Sequence, residues 1–279
     1  MAQSFEPISK ENVLVIGELT SPPSRYYFQT HVLNMTQEEL KGLTLYKYYT
    51  INALKPLLMS QMLFMDRVNS WEDVYENFFL KEKFFSKSRN EFIKAEDIAN
   101  AVFGQSWTYA TETDAMWRIY SPNQNKNGIR IQTSCYKVFN AMFVDNDCSI
   151  DTWIGKIQYN SLEAMNIFVK DEIRDYSISS WKNLMPYSQF LKRTEFEHEK
   201  EFRFIKMLDY QSASKISDYR RLAFKIDVDS FIEKAVLDPR LGDEEFKDIK
   251  QKLINMGIEE SKISRSTLYQ FEPITIEID

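Results

Sequence analysis

Glycine, proline, cysteine and histidine are all scarce in this 279-residue chain, at seven, eight, two and two residues. So few glycines and prolines argue against long flexible linkers. The two cysteines, Cys135 and Cys148, show neither metal-ligand nor redox spacing and imply a reducing compartment. With only His31 and His198, a histidine-rich zinc site is not expected, and a histidine-dependent triad has just two candidates. No apolar run approaches the roughly 20 residues a membrane span needs. The start, Met1 to Phe5, has neither a basic flank nor an apolar segment, so no signal peptide is expected and the location implied is cytoplasmic, away from the membrane. No glycine-rich loop precedes a helix, which disfavours P-loop and dinucleotide-fold chemistry. Basic excess is missing too. The net charge of −6 speaks against broad nonspecific nucleic-acid binding, while leaving room for a local basic groove.

Apolar material is ample: 43% of residues are hydrophobic and 14% aromatic, enough for one large domain or two modest ones. Asn12–Gly17 reads as a strand followed by a turn at Ser21–Ser24. Thr36-Gln37-Glu38-Glu39 has capping-box spacing, and Gly42 closes that helix. Leu45–Tyr49 reads as a strand, Asn52–Gln61 as a helix that tolerates Pro56 only near its first turn, and Met62–Met65 as a strand. A long helix is predicted from Ser70 to about Val102, broken once around Ser86–Asn90. Strands at 106–110 and 128–132 flank a helix from Asp114, with the strongest turn signal at 123–128. Helices at 134–143, 162–175 and 243–256 follow, with strands at 152–159, 221–228 and 263–266. This interleaving predicts an α+β fold: a mixed sheet with interleaved helices in a single domain over 43–279, preceded by an N-terminal extension over 1–42.

Three segments carry candidate chemistry. Phe196–Phe204 alternates at a period of two, so a strand there puts Glu197, Glu199, Glu201 and Arg203 on one face and Phe196, Phe202 and Phe204 on the other. Three carboxylates on one face repel unless water, a cation or a cationic substrate relieves them, and Arg203 neutralises one at most. His198 points to the opposite face. Trp71–Glu76 opens the predicted long helix, where Glu72, Asp73 and Glu76 serve either as caps on the helix dipole or as a carboxylate site. Trp117 and Tyr120, three apart on a helix, are either core or a stacking surface, with Arg118 beside them. Arg118, Lys126 and Arg130 make a short basic stretch suited to a phosphate-bearing acceptor.

In order and spacing, four segments resemble a bacterial family with a domain of unknown function (family 2971). Its members read Leu-Tyr-Lys-Tyr-Arg, then Phe-Asn-Asp-Pro-Phe-Glu, then Met-Trp-x-His-Tyr with a glycine, then Tyr-Glu-Lys-Glu-x-Arg. Here these stand as Leu45–Tyr49, Trp71–Glu76, Met116–Tyr120 with Gly128, and His198–Arg203. The resemblance spans Leu45 to Ser266. Tyr49, Glu72, Val74 and Ile119 depart from it, whereas Tyr46, Lys47, Tyr48, Asp73, Glu76, Trp117, Tyr120, Glu199, Glu201 and Arg203 retain its pattern.

More distantly, Glu199-Lys200-Glu201 is similar to the Glu-x-Glu strand of ADP-ribosyltransferases, which implies an ADP-ribosyltransferase-like core with NAD as substrate. In that superfamily an early strand offers a tyrosine, histidine or arginine to the nicotinamide ribose, followed by a helix and a second strand, an order that Leu45–Met65 fits. The resemblance implies that Glu201 stabilises an oxocarbenium-like transition state and that Glu199 positions or deprotonates the nucleophile. It further implies that Tyr46 or Tyr48 holds the ribose, with Lys47, Trp117, Tyr120 and Arg203 completing the cofactor contacts. The function expected is therefore an NAD-consuming transferase, a toxin or antiviral effector that modifies RNA or protein and is checked by an antitoxin or inhibitor protein. Two other classes stand beside it: an interaction module whose acidic strand is only a surface, and a metal-dependent nuclease using Asp73, Glu76 and Glu199.

Overall fold

The computed structural model describes residues 13–16, 31–71, 73, 75–76, 78–86, 90–93, 99–121, 127–143, 150–168, 186–208 and 219–277. The turn predicted at 21–24 and residues 123–126 of that predicted at 123–128, together with Glu72, Val74, Lys126 and Cys148, lie outside them.

In chain order the strands are β1 (Val13–Ile16), β2 (Val32–Leu33), β3 (Thr44–Thr50), β4 (Met62–Arg67), β5 (Phe84–Ser86), β6 (Glu91–Ile93), β7 (Val102–Thr108) and β8 (Gly128–Ser134). They continue with β9 (Ile150–Lys156), β10 (Gln158–Asn160), β11 (Leu191–Arg193), β12 (Glu201–Leu208), β13 (Arg221–Lys225), β14 (Lys234–Leu237) and β15 (Ile263–Arg265). The helices are α1 (Gln37–Gly42), α2 (Ile51–Ser60), α3 (Phe78–Lys81), α4 (Asp114–Tyr120), α5 (Cys135–Met142), α6 (Leu162–Ile167), α7 (Val228–Phe231) and α8 (Asp243–Asn255). The fold is α+β with mixed sheets and interleaved helices, as the sequence implies.

The chain divides into two compact units. The first comprises Met1–Leu45, Met62–Tyr109 and Ser134–Ile226. Its sheet runs β1-β13-β4-β7-β12-β9-β2. The pairs β13–β4, β4–β7, β7–β12 and β12–β9 are antiparallel, while the outer pairs β1–β13 and β2–β9 are parallel. β12 is the central strand of the site, and its side chains alternate in character. Glu201, Arg203 and Ile205 share one face; Phe202, Phe204 and Lys206 share the other, and all six are buried. Lys206 is satisfied by a 2.6 Å bond to Thr152 Oγ1, and its Nζ lies 5.5 Å from the Phe224 ring centroid. Val68, Val102, Trp153, Phe190 and Ile205 belong to one core cluster, against which Trp71 and Tyr159 pack. The capping box at Thr36 is formed, with Glu39 N donating to Thr36 Oγ1 and Thr36 N to Glu39 Oε2. Residues 31–42 thus carry β2 and α1 of this unit.

The second unit comprises Tyr46–Gln61, Ala110–Thr133 and Asp227–Asp279. Its strands run β3-β8-β14-β15, with β8–β14 antiparallel and β14–β15 parallel. Tyr48, Met116, Trp117 and Val236 form a core cluster here. α2 is capped by Thr50, whose side chain accepts from Ala53 N. Pro56 falls in its second turn rather than its first, where the missing N–H removes a backbone bond to Asn52.

Three predicted elements require correction; the strand predicted over 221–228 stops at Lys225, since Asp227 caps α7 and Val228 opens it. The long helix from Ser70 to Val102 is not formed among the described residues. After a 3-10 turn at Val68–Ser70 and the short α3, Phe84–Ser86 and Glu91–Ile93 pair as an antiparallel hairpin. Phe84, Phe85, Phe92 and Ile93, read as a helical stripe, are two aromatic-rich strands. The strand predicted over Phe196–Phe204 begins only at Glu201, because Thr194–Glu199 is 3-10 helical and Lys200 takes a left-handed conformation with φ 42°.

Candidate active site

A buried ionic cluster lies at the entry to β12, within the first unit. Lys192, on β11, reaches three carboxylates with one ammonium: Glu199 Oε2 at 2.7 Å, Glu76 Oε1 at 2.9 Å and Glu201 Oε2 at 3.1 Å. Arg203, entirely buried, closes the other side. Its Nε donates to Glu201 Oε1 at 2.6 Å, Nη2 to Glu76 Oε1 at 2.7 Å and Nη1 to the Gln189 carbonyl at 2.8 Å. Its guanidinium also lies 4.6 Å from the Trp71 ring centroid.

Local structure explains this convergence. β11 pairs in parallel with β10, which sets Lys192 opposite Tyr159. The 3-10 turn then folds Glu199 back onto Lys192, and the left-handed Lys200 redirects the chain into β12. The turn is pinned from β7, since Thr108 Oγ1 donates to the Glu199 carbonyl at 2.6 Å and Tyr109 N to that of Lys200 at 3.0 Å. The Tyr159 hydroxyl accepts from Glu201 N at 2.8 Å. Glu199 and Glu201 therefore do meet, through a turn and a shared lysine rather than through strand alternation.

The two carboxylates differ in proton affinity. Burial alone would raise the Glu201 carboxyl, but the Arg203 and Lys192 charges outweigh it and hold it at about 2. For Glu199 burial dominates: its pKa is raised, with Lys192 only partly countering and Glu201 and Glu76 adding repulsion. Lys192 is held above the ordinary lysine range by Glu201, Glu76 and Glu199, which overcome its own desolvation. Three carboxylates face two cations. The side chain most open to solvent among these five is Glu199, at 15% exposure against 4% for Glu201 and none for Arg203.

The other predicted residues are placed as follows. Glu197 is exposed and paired with Lys200 at 2.9 Å, so the acidic face of three is in fact two plus Glu76. Arg203 engages two carboxylates where the sequence reading allowed one. Phe196 leaves the aromatic face of the strand and lies against Lys192 and Arg193, 4.7 and 5.1 Å from its ring centroid. His198 is exposed on the 3-10 turn. Asp73 accepts from Arg193 at 3.3 Å and from Tyr75 N at 3.0 Å, in a turn rather than a helical first turn. Among the described residues no group of three His, Cys, Asp or Glu is arranged to hold a metal ion; the acids named for a nuclease are paired with the chain's own cations.

In the second unit, Trp117 is fully buried, edge-on to Tyr48 at 4.9 Å, and its Nε1 donates to Glu112 at 2.6 Å. It is a core residue, which removes it as an open stacking surface. Tyr120 is 40% exposed and stacks on Tyr48 at 5.9 Å. Tyr48 is itself buried, and desolvation pushes its hydroxyl up to about 12. Arg130 is buried over the Tyr46 ring at 4.8 Å, and Lys47 lies 5.8 Å from that of Tyr49. Arg118 is paired with Asp114 at 2.7 Å, so Arg118 and Arg130 do not form a basic surface. Lys192, Gln189 and Tyr159 were missed from sequence. The only signal was a Lys-Arg pair seven and nine residues before the glutamates.

No protein-family model matches this chain, and no curated protein does either. Solved structures with which it shares a likeness include Thermus sp. 2.9 DarT in complex with carba-NAD+ (TM-score 0.37, 11% identity, covering 82% of this chain and 98% of that one). Two others are the same DarT with NAD+ (0.38, 11%, 82% and 98%) and with ADP-ribosylated ssDNA (0.38, 10%, 82% and 96%). Likeness this slight transfers no residue role.

Proposed function

We propose that this protein is an NAD-consuming ADP-ribosyltransferase whose reacting corner is the Glu199–Glu201 pair. One observation carries the reading: two neighbouring carboxylates share a lysine, yet their environments push their proton affinities apart. Such a division assigns roles. Glu201, held at about 2, is an anion at every working pH and supplies fixed negative charge toward an oxocarbenium-like ribose. Glu199, raised and at the open side, is suited to accept a proton. In the step proposed, an acceptor O–H or N–H attacks C1′ of the nicotinamide ribose. The C1′–N bond breaks with its electrons passing to nicotinamide, and the acceptor's proton passes to Glu199. The chain order of β3, α2, β4 and a late acidic strand agrees with that of the superfamily the sequence resembles. A nucleic acid or protein is the proposed acceptor. A toxin or antiviral role, held in check by an inhibitor protein inside the cell, belongs to the same proposal.

The test is nicotinamide release from NAD together with labelling by tagged NAD in cell extract. The parent should do both. Glu199→Gln should lower acceptor labelling about 100- to 1,000-fold while still binding NAD. A parent inert in both assays, or Glu199→Gln at parental activity, overturns the reading and leaves the interaction module in its place.

A further inference from the structure

A cavity of about 150 Å³ opens in the first unit, between the end of β2, the β10–β11 ribbon and α6. Its floor is apolar, with Leu33, Met165, Phe190 and Leu191 buried there. Its rim carries three carboxamides, those of Asn34, Gln158 and Asn160, and none of the residues lining it is charged. Two of the carboxamides are held by the fold. Asn34 Nδ2 donates to the Lys156 carbonyl at 2.8 Å, and Asn160 Nδ2 to that of Gln158 at 3.2 Å. Each Oδ1 is thereby left as an acceptor without a donor among the described residues. The close approach of β2 is built in as well. A Cβ on Gly155 would meet the Leu33 carbonyl oxygen at 2.3 Å, and Asn34 holds a left-handed conformation with φ 58°. A cavity of this volume accepts one six-membered ring. The floor calls for a flat apolar body, the rim for an N–H beside a carbonyl, and the lack of charge for a neutral molecule.

We propose that this cavity binds a neutral six-membered ring with an amide edge, the chemistry shared by nicotinamide and a pyrimidine base. Gln158, Asn160 and Leu191 line it from one face of the β10–β11 ribbon. Tyr159 and Lys192 take the opposite face, where they meet Glu201 and Glu199. The site is therefore separate from the Glu199–Glu201 corner. Binding is measured on the full chain without NAD, so this proposal and the transfer reading fail separately. Titration calorimetry uses nicotinamide and uracil as the two sources, with nicotinate as a charged control and adenine as a two-ring control. Nicotinamide or uracil should bind and raise the melting temperature as its concentration rises, and the tighter of the two identifies the source. Nicotinate and adenine should bind about 10-fold more weakly or worse. Gln158→Met, exposed and of similar length, should weaken binding about 2- to 10-fold. Ala164→Trp, at an exposed lining position, should fill the cavity and abolish binding. Glu199→Gln should bind these probes as the parent does. Should Ala164→Trp fail to fold, as shown by its melting temperature, Gln158→Met carries the test. Failure of both nicotinamide and uracil to bind, parental affinity in the cavity variants, nicotinate binding as tightly as nicotinamide, or loss of binding in Glu199→Gln overturns the proposal.

Discussion

At the scale of residues, Glu199 and Glu201 make opposite contributions to stability although they share a lysine. Glu201 in the fold has its pKa lowered to about 2 from an ordinary 4.5. Its contribution is complete above the ordinary value and is lost as pH falls through that interval. Glu201→Gln should therefore destabilise the protein at about pH 7, by about 3 kcal/mol, and flatten its acid denaturation. This reverses what like-charge crowding on a strand face would suggest, namely relief on neutralisation. Glu199 has a raised pKa, so what it contributes is present at acid pH and is lost as pH rises through its folded value. Glu199→Gln should leave stability at about pH 7 unchanged or slightly higher. Urea midpoints of both variants at neutral and acid pH check this; a destabilised Glu199→Gln with a parental Glu201→Gln would invert the assignment. Glu199, Glu201 and Arg203 were legible because charges alternating with aromatics are unusual in a sequence. Lys192 was not, because its partners meet it only after a 3-10 turn doubles the chain back, a geometry that period two does not encode.

At the scale of elements, β12 depends on a contact from β7. Gly104, the register partner of Ile205, lies beneath Trp71: a Cβ there would come within 2.5 Å of Trp71 Cζ2 and 2.9 Å of Ile205 Cδ1. Trp71 in turn covers the Arg203 guanidinium. Gly104→Ala is thus expected to cost about 1–3 kcal/mol through overpacking. By shifting Trp71 it should also disturb Arg203, lowering activity more than Tm alone would imply. Gly104→Ala with Trp71→Phe, which removes the clashing ring, should recover part of the loss in a thermal melt. No recovery would show that the clash lies with Ile205 instead. The helix after Thr36 was read with its capping box, whereas those from Asp114 and Ser134 were placed without their caps, Thr113 and Ser134, each of which satisfies an otherwise orphaned backbone donor. The hairpin at 84–93 was not read, since closely spaced phenylalanines fit a helical stripe and a pair of short strands equally well until pairing decides. β2, β11 and β14 escaped for a related reason: at two to four residues they hold too few positions to show any period.

At the scale of the whole molecule, the scarcity of cysteine becomes a probe of cooperative opening. Cys135, the first residue of α5, is fully buried, and desolvation raises its thiol well above the ordinary value. Its N–H donates to the Leu43 carbonyl at 2.8 Å, and α5 packs against α1, so the thiol becomes accessible only when the first unit opens. Thiolate is the reacting species, and both burial and a raised pKa withhold it. In a Cys148→Ser background, Cys135 should be inert to a disulfide reagent under native conditions. In rising urea its labelling should follow loss of far-UV circular dichroism, because rapid reclosing ties labelling to the open population. Glu201→Gln, destabilising the same unit, should move the labelling midpoint to lower urea by the amount it moves the spectroscopic one. Fast native labelling would show that α5 frays locally; a labelling midpoint insensitive to Glu201→Gln would show that the ionic cluster and α5 do not belong to one cooperative unit.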